Sequence, residues 1–221
     1  MSTHPRENYV YLSKEDTAFL TKAQIAAWEA DKTFSTDWAA NHFFLWAELL
    51  HSMRARPVQI LEVGSWEGRS ALFFLNYLPR CRIVCVDTFA GGIEHQQDPY
   101  FAELAPKVEG HFDANLADFT DRVEKIKGTS VAVLPELGIA GRRFDLAYID
   151  GSHMAADVYA DAVLTWSLMA PDGIVIFDDY AWDLMHTERE RPKLGIDAFL
   201  KTIEGRHREL LRDWQLVIAK V

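Results

Sequence analysis

Residues 58–78 read VQILEVGSWEGRSALFFLNYL, and the hydrophobic pattern of this stretch changes at its glycines. The apolar run VQILEV predicts a buried strand, GSWEG predicts a turn, and RSALFFLNYL predicts a helix that Pro79 ends. A strand followed at once by a helix is typical of a βαβ unit, in which the next strand lies parallel to the first.

The same alternation continues toward the carboxyl end of the chain. The further predicted strands are CRIVCVD, SVAVL, FDLAYID and GIVIFDD, and helices are predicted over 114–127, over MAADVYADAVLTWSLMA before Pro171, and over IDAFLKTIE. The last residues, HRELLRDWQLVIAKV, predict an antiparallel hairpin. We therefore expect an α/β fold with a Rossmann-like, doubly wound, mostly parallel seven-stranded sheet and a C-terminal antiparallel hairpin.

The residues before this sheet are predicted to be helical. Apolar positions recur at helical spacing over 14–55, and Ser35 or Thr36 would begin the second of at least two helices. We expect 1–56 to form a helical cap of the same domain as 57–221. Residues 89–113, with their glycines and prolines, are predicted to be irregular. Together with the cap they are predicted to form the pocket for the molecule on which the protein acts.

Composition excludes several classes of partner. The net charge is −10 and no basic stripe is present, which argues against a nucleic-acid partner. No apolar run approaches the roughly 20 residues of a membrane span, and the first residues lack the apolar core of a signal peptide. Cys81 and Cys85 would lie about 13 Å apart along one strand, too far for a disulfide. A small-molecule partner and a reduced, cytoplasmic setting fit these features.

Acidic residues stand at the ends of the predicted strands, namely at Glu62, Asp87, Asp150 and the pair Asp178–Asp179. Ligands of such sheets bind outside the carboxyl ends of the strands. The last three carboxylates would converge and repel one another, and a hard divalent cation such as Mg²⁺ would resolve that repulsion. Helix or turn capping is the alternative, with Ser152 sharing the role of Asp150.

The first turn argues against a dinucleotide. Gly64 and Gly68 allow close approach of a ligand, but Trp66 occupies the middle position of the dinucleotide fingerprint. The acid Glu62, two residues before Gly64, favours a cationic ammonium group over a diphosphate. A nucleotide-dependent oxidoreductase is thereby disfavoured, and a plain βα turn stays open.

The E-x-G-x-x-x-G pattern of residues 62–68 resembles motif I of class I S-adenosylmethionine-dependent methyltransferases. The resemblance implies that Asp87 binds the ribose hydroxyls and that KGTS (127–130) contacts the adenine. The cofactor-binding residues that it implies are Glu62, Gly64, Ser65, Trp66, Gly68, Ser70, Asp87, Thr88, Thr129, Ser130 and Asp150.

The segments YIDGSH (148–153) and IVIFDDY (174–180) add a second resemblance, to the bacterial family related to macrolide-sugar and catechol-type cation-dependent O-methyltransferases. It implies that Asp150, Asp178 and Asp179 bind Mg²⁺. It also implies that His153, three residues after the first ligand, is the catalytic base beside Asp150. A solvent-exposed position at the start of a helix is the alternative for His153.

These features predict an S-adenosylmethionine-dependent, Mg²⁺-dependent O-methyltransferase that acts on a hydroxyl of a small metabolite. A sugar, a polyketide and a catechol all remain open as acceptors. The alternatives are a metal-independent methyltransferase of the same fold and a non-catalytic cofactor-binding accessory protein. Tyr180 and Trp182 would wall the pocket or lie in the core, and surface positions are predicted for His95 and His111. The aromatic N-terminal helices would cover the pocket or pair two chains as a homo-oligomer.

Overall fold

The computed structural model describes residues 16–92, 95–96, 98–183 and 187–221. Within these residues, seven strands form one sheet in the order β3-β2-β1-β4-β5-β7-β6. The strands are β1 (Val58–Val63), β2 (Cys81–Asp87), β3 (Val123–Lys127), β4 (Phe144–Ile149), β5 (Met169–Phe177), β6 (His207–Arg212) and β7 (Leu216–Lys220).

The α-helices of the described residues surround this sheet. They are α1 (Lys22–Glu29), α2 (Phe43–Leu50), α3 (Arg69–Tyr77), α4 (Pro99–Asn115), α5 (Ser130–Ile139), α6 (Ala155–Leu168) and α7 (Pro192–Thr202). Short 3₁₀ turns cover Ala40–His42, His51–Ala55, Ala117–Phe119 and Glu188–Glu190.

The pairing of the strands confirms the predicted fold class. Strands β1 to β5 pair in parallel, and β7 joins β5 and β6 in antiparallel fashion. The strand order reverses beside β1, where β2 lies on one side and β4 on the other, so this edge is the topological switch point. The backbone N–H of Asp150 donates to Val63 O at 2.8 Å, and that of Asp178 donates to Ile149 O at 3.0 Å. The acidic strand ends therefore lie side by side.

Two apolar layers cover the two faces of the sheet. One includes Trp46 and Phe43 of α2 and Phe74 of α3, and the other includes residues of α5, α6 and α7. Trp46 is 0% exposed and packs on the rings of Phe74 and Tyr148. Burial of such large aromatic rings anchors the helices before β1 to the sheet.

The predicted elements over 89–134 were wrong. Residues 99–115 form α4 although 89–113 was predicted to be irregular, 123–127 form β3 inside the predicted helix 114–127, and SVAVL begins α5 rather than a strand. Short apolar runs such as SVAVL fit a helix or a strand equally well, and packing on the sheet selects between them. Strand β3 is partly exposed at the edge of the sheet, so its sequence VEKIK lacks a strong apolar signal.

Smaller differences concern where elements begin and end. Neither Ser35 nor Thr36 caps a helix, because α2 begins only at Phe43 after a 3₁₀ turn. Strand β5 begins at Met169 and runs through Pro171, which the prediction used to end a helix. Cys81 and Cys85 are free and buried, as predicted. Residues 14 and 15 of the first predicted helix lie outside the described residues. Among the described residues, no helix is long and apolar enough to cross a membrane.

Candidate active site

A cavity of about 930 Å³ opens at the carboxyl ends of the parallel strands. The turn after β1, the ends of β2, β4 and β5, and the segment between α1 and α2 all contribute to its wall. The predicted site residues that line it are Gly64, Ser65, Trp66, Ser70, Asp87, Thr88, Asp150, His153, Asp178 and Asp179. Tertiary structure thus brings most of the predicted site into one pocket.

The turn after β1 requires glycine at position 64. Gly64 has a φ of +84°, and a Cβ placed there would lie 2.1 Å from the backbone oxygen of Asp150. Its N–H donates to Val86 O at 2.9 Å, which fixes the turn against β2. The absence of a side chain lets the turn after β1 touch the end of β4, so the predicted cofactor turn and the acidic cluster adjoin.

Asp87 supports the same turn through its carboxylate. Its Oδ2 accepts hydrogen bonds from the backbone N–H groups of Ser65 (2.6 Å) and Trp66 (2.7 Å), and its Oδ1 accepts from the N–H of Phe89 at 2.6 Å. A carboxylate oxygen has more than one acceptor site, so these bonds leave capacity for a ligand diol. Asp87 therefore both stabilises the turn and lines the cavity.

Glu62 lies behind the cavity wall rather than in it. The side chain is 0% exposed, and its Oε1 accepts a hydrogen bond from Ser70 Oγ at 2.7 Å, while its Oε2 has no hydrogen-bond partner. Burial raises the pKa of Glu62 to about 7. Ser70 lines the cavity and Glu62 does not, so the acid faces the pocket through that hydroxyl.

Three predicted cofactor residues also lie away from the wall. Gly68 precedes α3 with a φ of +80° and faces Phe112 and Leu116, while Thr129 and Ser130 form the start of α5. None of these three lines the cavity. The segment 127–130 connects β3 to α5, whereas the sequence predicted it between a helix and a strand.

Asp150, His153 and Asp179 form a compact cluster at one end of the cavity. Within the described residues, one ligand atom from each lies within 4.8 Å of the others, a spacing that a metal ion could bridge. His153 Nε2 lies 2.8 Å from Asp179 Oδ2. Asp179 has a φ of +52°, an uncommon backbone conformation for a residue with a side chain, which directs it toward the cluster.

Helix capping does not explain the carboxylate of Asp150. Helix α6 begins after Met154, and no side chain makes its N-cap bond. Ser152 Oγ instead accepts from Met154 N at 3.2 Å and donates to Asp157 at 2.9 Å. The predicted alternative of a helix cap at Asp150 was therefore wrong, and its carboxylate remains available in the pocket.

The acid cluster is electrostatically strained. Desolvation, followed by the charges of Asp178 and Asp179, raises the pKa of Asp150 well above its usual range, and desolvation and Asp179 likewise raise the pKa of Asp178. The Tyr148 hydroxyl lies within hydrogen-bond distance of both neighbours, 3.0 Å from Asp150 Oδ2 and 2.8 Å from Asp178 Oδ2, and its single proton is shared between these two acceptors. A divalent cation would favour the ionised carboxylates that burial disfavours.

Aromatic rings form the wall opposite the acids. His95 packs against Trp38 and Trp66, with ring centroids 5.3 and 5.1 Å away, and the two tryptophans also contact each other at 6.0 Å. His95 also lines the cavity. A surface position was predicted for His95, but it is only partly exposed, because the rings of Trp38, Trp66 and Phe101 pack on it. The ring of Trp182 packs 4.3 Å from that of His153 and lines the cavity, which agrees with the predicted pocket position rather than the core position. Tyr180 is buried in the core layer instead.

An acid contacts His111, which was predicted to lie on the surface and is 27% exposed. Its Nδ1 lies 2.6 Å from Oε1 of Glu67, a buried acid of the turn after β1. Glu67 also accepts from the N–H and the hydroxyl of Ser35, at 2.6 and 2.8 Å. The turn, α4 and the segment before α2 are therefore tied together, which positions the N-terminal residues over the cavity.

Two residues of the site were missed from the sequence. Tyr148 shares a strand face with Asp150, so the two-residue period of a strand would have indicated it. Gln215, which donates from Nε2 to Asp178 Oδ1 at 2.6 Å, stands before an apolar strand with no local signal of its role.

Comparison with known proteins identifies the family of this fold and site. Residues 61–180 match the family described as Methyltransferase domain, and because this is more than half of the chain, the chain belongs to that family. A curated relative, O-methyltransferase hkm8 of Aspergillus hancockii, is 32% identical over 130 residues, which are 58% of this chain and 45% of the relative. The chain thus spans less than half the length of that relative.

Solved structures share the fold. The MycE methyltransferase from the mycinamycin biosynthetic pathway, in complex with Mg, SAH and mycinamycin VI, superimposes with a TM-score of 0.63 and 16% identity over 89% of this chain and 54% of that one. The O-methyltransferase from Bacillus cereus in complex with SAH gives a TM-score of 0.61 at 19% identity, over 93% and 94% of the two chains. At these identities the likeness concerns the fold alone.

Proposed function

We propose that this chain is an S-adenosylmethionine-dependent O-methyltransferase that uses Mg²⁺ and methylates a hydroxyl of a small metabolite, a sugar or another natural product. The observation that carries the proposal is the contact between the Gly64 turn and Asp150, which joins a cofactor turn to an acid cluster in one cavity. The relative hkm8 is named an O-methyltransferase, and MycE was solved with Mg and SAH.

The residues fit a nucleoside cofactor. The cavity of about 930 Å³ has room for a cofactor and an acceptor, and small or polar residues line the part beside the Gly64 turn. Asp87 would hold the ribose hydroxyls, Ser70 backed by Glu62 would meet the ammonium group, and Trp66 would cover the turn. The adenine contact predicted for Thr129 and Ser130 is not part of this proposal, because neither residue lines the cavity.

The residues also fit a divalent cation. Asp150 and Asp179 offer oxygen ligands, and Asp178 lies beside them. Burial and the neighbouring acids keep the pKa of Asp150 well above its usual range although His153 and Tyr148 act against this rise. A bound Mg²⁺ would lower the pKa of an acceptor hydroxyl. His153 would take the proton, since Asp179 holds its Nε2 at the edge of the cluster. Trp182 packs on the imidazole and orients it.

The remaining parts of the proposal concern the setting of the site. The described part of the predicted cap, residues 16–56, would cover the site, because Trp38 and His42 of this segment line the same cavity as residues of 57–221. Residues 1–15 of the predicted cap lie outside the described residues. The acceptor would lie against the Trp38–His95–Trp66 wall. Two free cysteines are consistent with a reducing cytoplasm.

Calorimetry with SAH and Mg²⁺ tests this function, followed by methyl transfer from labelled S-adenosylmethionine to a panel of sugar, polyketide and catechol hydroxyls. The variants are Asp150→Ala with Asp178→Ala in one chain, and Asp172→Asn as the control. Asp172 is an exposed acid near the start of β5, outside the cavity lining. We expect SAH to bind all three proteins and Mg²⁺ to bind all but the double variant.

Each alternative has its own signature. SAH binding without any Mg²⁺ signal in the wild type would favour a metal-independent methyltransferase, and methyl transfer insensitive to chelator would support it. SAH binding with no transfer to any acceptor would favour an accessory protein. A wild type that does not bind SAH would contradict the whole proposal.

A further inference from the structure

Both carboxylate oxygens of Asp178 are held by side chains outside the acid cluster. Oδ1 accepts from Gln215 Nε2 at 2.6 Å, and Oδ2 accepts from the Tyr148 hydroxyl at 2.8 Å. Gln215 is 1% exposed and Tyr148 is 0% exposed. These two contacts favour one orientation of the Asp178 carboxylate, because a rotated carboxylate would lose both hydrogen bonds and leave the buried Gln215 amide N–H unpaired.

The Tyr148 hydroxyl contacts both acids. It lies 3.0 Å from Asp150 Oδ2 and 2.8 Å from Asp178 Oδ2, so one atom contacts both strand ends. The ring of Tyr148 is fixed in turn, since it packs edge-on against Trp46 and Phe74. The distance between the two carboxylates therefore depends on a rigid group in the core.

The orientation of the Gln215 amide is determined by Trp46. The indole Nε1 of Trp46 lies 2.8 Å from Gln215 Oε1, and an indole nitrogen can only donate. The amide oxygen must face Trp46, and the amide nitrogen must then face Asp178. Trp46 belongs to α2, so the N-terminal cap is connected to the acid cluster by two consecutive hydrogen bonds.

We propose that Tyr148 and Gln215 are positioning residues that hold Asp178 beside Asp150 at the edge of the proposed divalent-cation site. This inference rests on the proposed Mg²⁺ site and adds the residues that preorganise it. Side chains that bond to metal ligands typically contribute a factor of about 10–100 in metal affinity. The same contribution is expected here from the Tyr148 hydroxyl.

The test measures Mn²⁺ binding by the electron paramagnetic resonance of free Mn²⁺, with SAH bound, and SAH binding by calorimetry. Tyr148→Phe removes one buried hydroxyl and keeps the ring. Tyr77→Phe is the matched control, because the Tyr77 hydroxyl is also buried and donates to Ala47 O at 2.6 Å. Gln215→Met removes the amide and keeps a side chain of similar length.

We expect Tyr148→Phe to raise the Mn²⁺ dissociation constant about 10–100-fold, with Gln215→Met changing it in the same direction. SAH affinity should stay close to that of wild type, and Tyr77→Phe should leave both affinities unchanged. The melting temperatures of the two tyrosine variants should be similar.

Three results would overturn the inference, and they are distinguishable. If wild type binds Mn²⁺ and Tyr148→Phe binds it equally well, the positioning role is wrong while the proposed function stands. If Tyr77→Phe weakens Mn²⁺ as much as Tyr148→Phe, the effect is one of general stability. If wild type with SAH binds no Mn²⁺, the proposed cation site fails together with this inference.

Discussion

Replacing Glu62 with glutamine should stabilise the ligand-free protein at alkaline pH. Glu62 is completely buried, its Oε2 has no hydrogen-bond partner, and its pKa is raised from 4.5 to about 7. In the unfolded chain the carboxyl would titrate near its ordinary pKa. Between these two values the folded state retains a proton that the unfolded state has released, so stability falls as pH rises through this window.

The size of the effect follows from the shift in pKa. Each pKa unit corresponds to about 1.4 kcal/mol, so the ionised Glu62 costs roughly 3 kcal/mol of unfolding free energy above pH 7. Glutamine does not ionise and can still accept from Ser70. The difference in unfolding free energy between Glu62→Gln and wild type should therefore grow by about 3 kcal/mol from pH 4.5 to pH 8.

Urea denaturation of the ligand-free proteins at pH 4.5, 6 and 8 measures this difference. Glu48→Gln is the control, because Glu48 is exposed on α2 and the same substitution there should leave the pH dependence unchanged. Other buried acids titrate in the same range, but they are common to both proteins and cancel in the difference. A difference that stays constant with pH would refute the reasoning, since it would mean that Glu62 is hydrated or paired in the folded state.

Further substitutions test Gly64 in the turn after β1, Asp87, whose carboxylate stabilises that turn, and the proposed base His153. Gly64→Ala should prevent SAH binding and destabilise the fold, because the added Cβ would lie 2.1 Å from Asp150 O. The control Gly141→Ala, at a φ of +73° with open space around it, should lower the unfolding free energy by only about 1–2 kcal/mol. Equal melting temperatures for the two variants would contradict this. Asp87→Asn should lower the unfolding free energy by about 1–3 kcal/mol and weaken SAH binding at least about tenfold, because two backbone N–H groups of the turn donate to Asp87 Oδ2. An unchanged SAH affinity by calorimetry would count against this role of Asp87. His153→Asn should reduce methyl transfer by about 10²–10⁴-fold with SAH affinity unchanged, and a variant with full turnover would exclude His153 as the base.

Much of the fold followed from local pattern. Apolar runs that end in an acid, such as FDLAYI before Asp150, correctly located β1, β2, β4 and β5, because strands buried on both faces leave an unbroken apolar signal. The edge strand β3 and helices α4 and α5 were not predicted correctly. Their sequences are partly polar or contain proline, and contacts with the sheet outweigh their local preferences.

The sequence by itself determined which acids end the parallel strands, and parallel pairing alone then required these acids to meet at one edge. Only the tertiary structure decided what surrounds them: Ser70 between Glu62 and the cavity, His95 packed against two tryptophans, and Tyr148 between two carboxylates. Trp46 and Gln215 lie 169 positions apart, yet they orient the same acid. A contact of that kind has no period and no neighbouring signal, because it depends on how separately folded elements pack together.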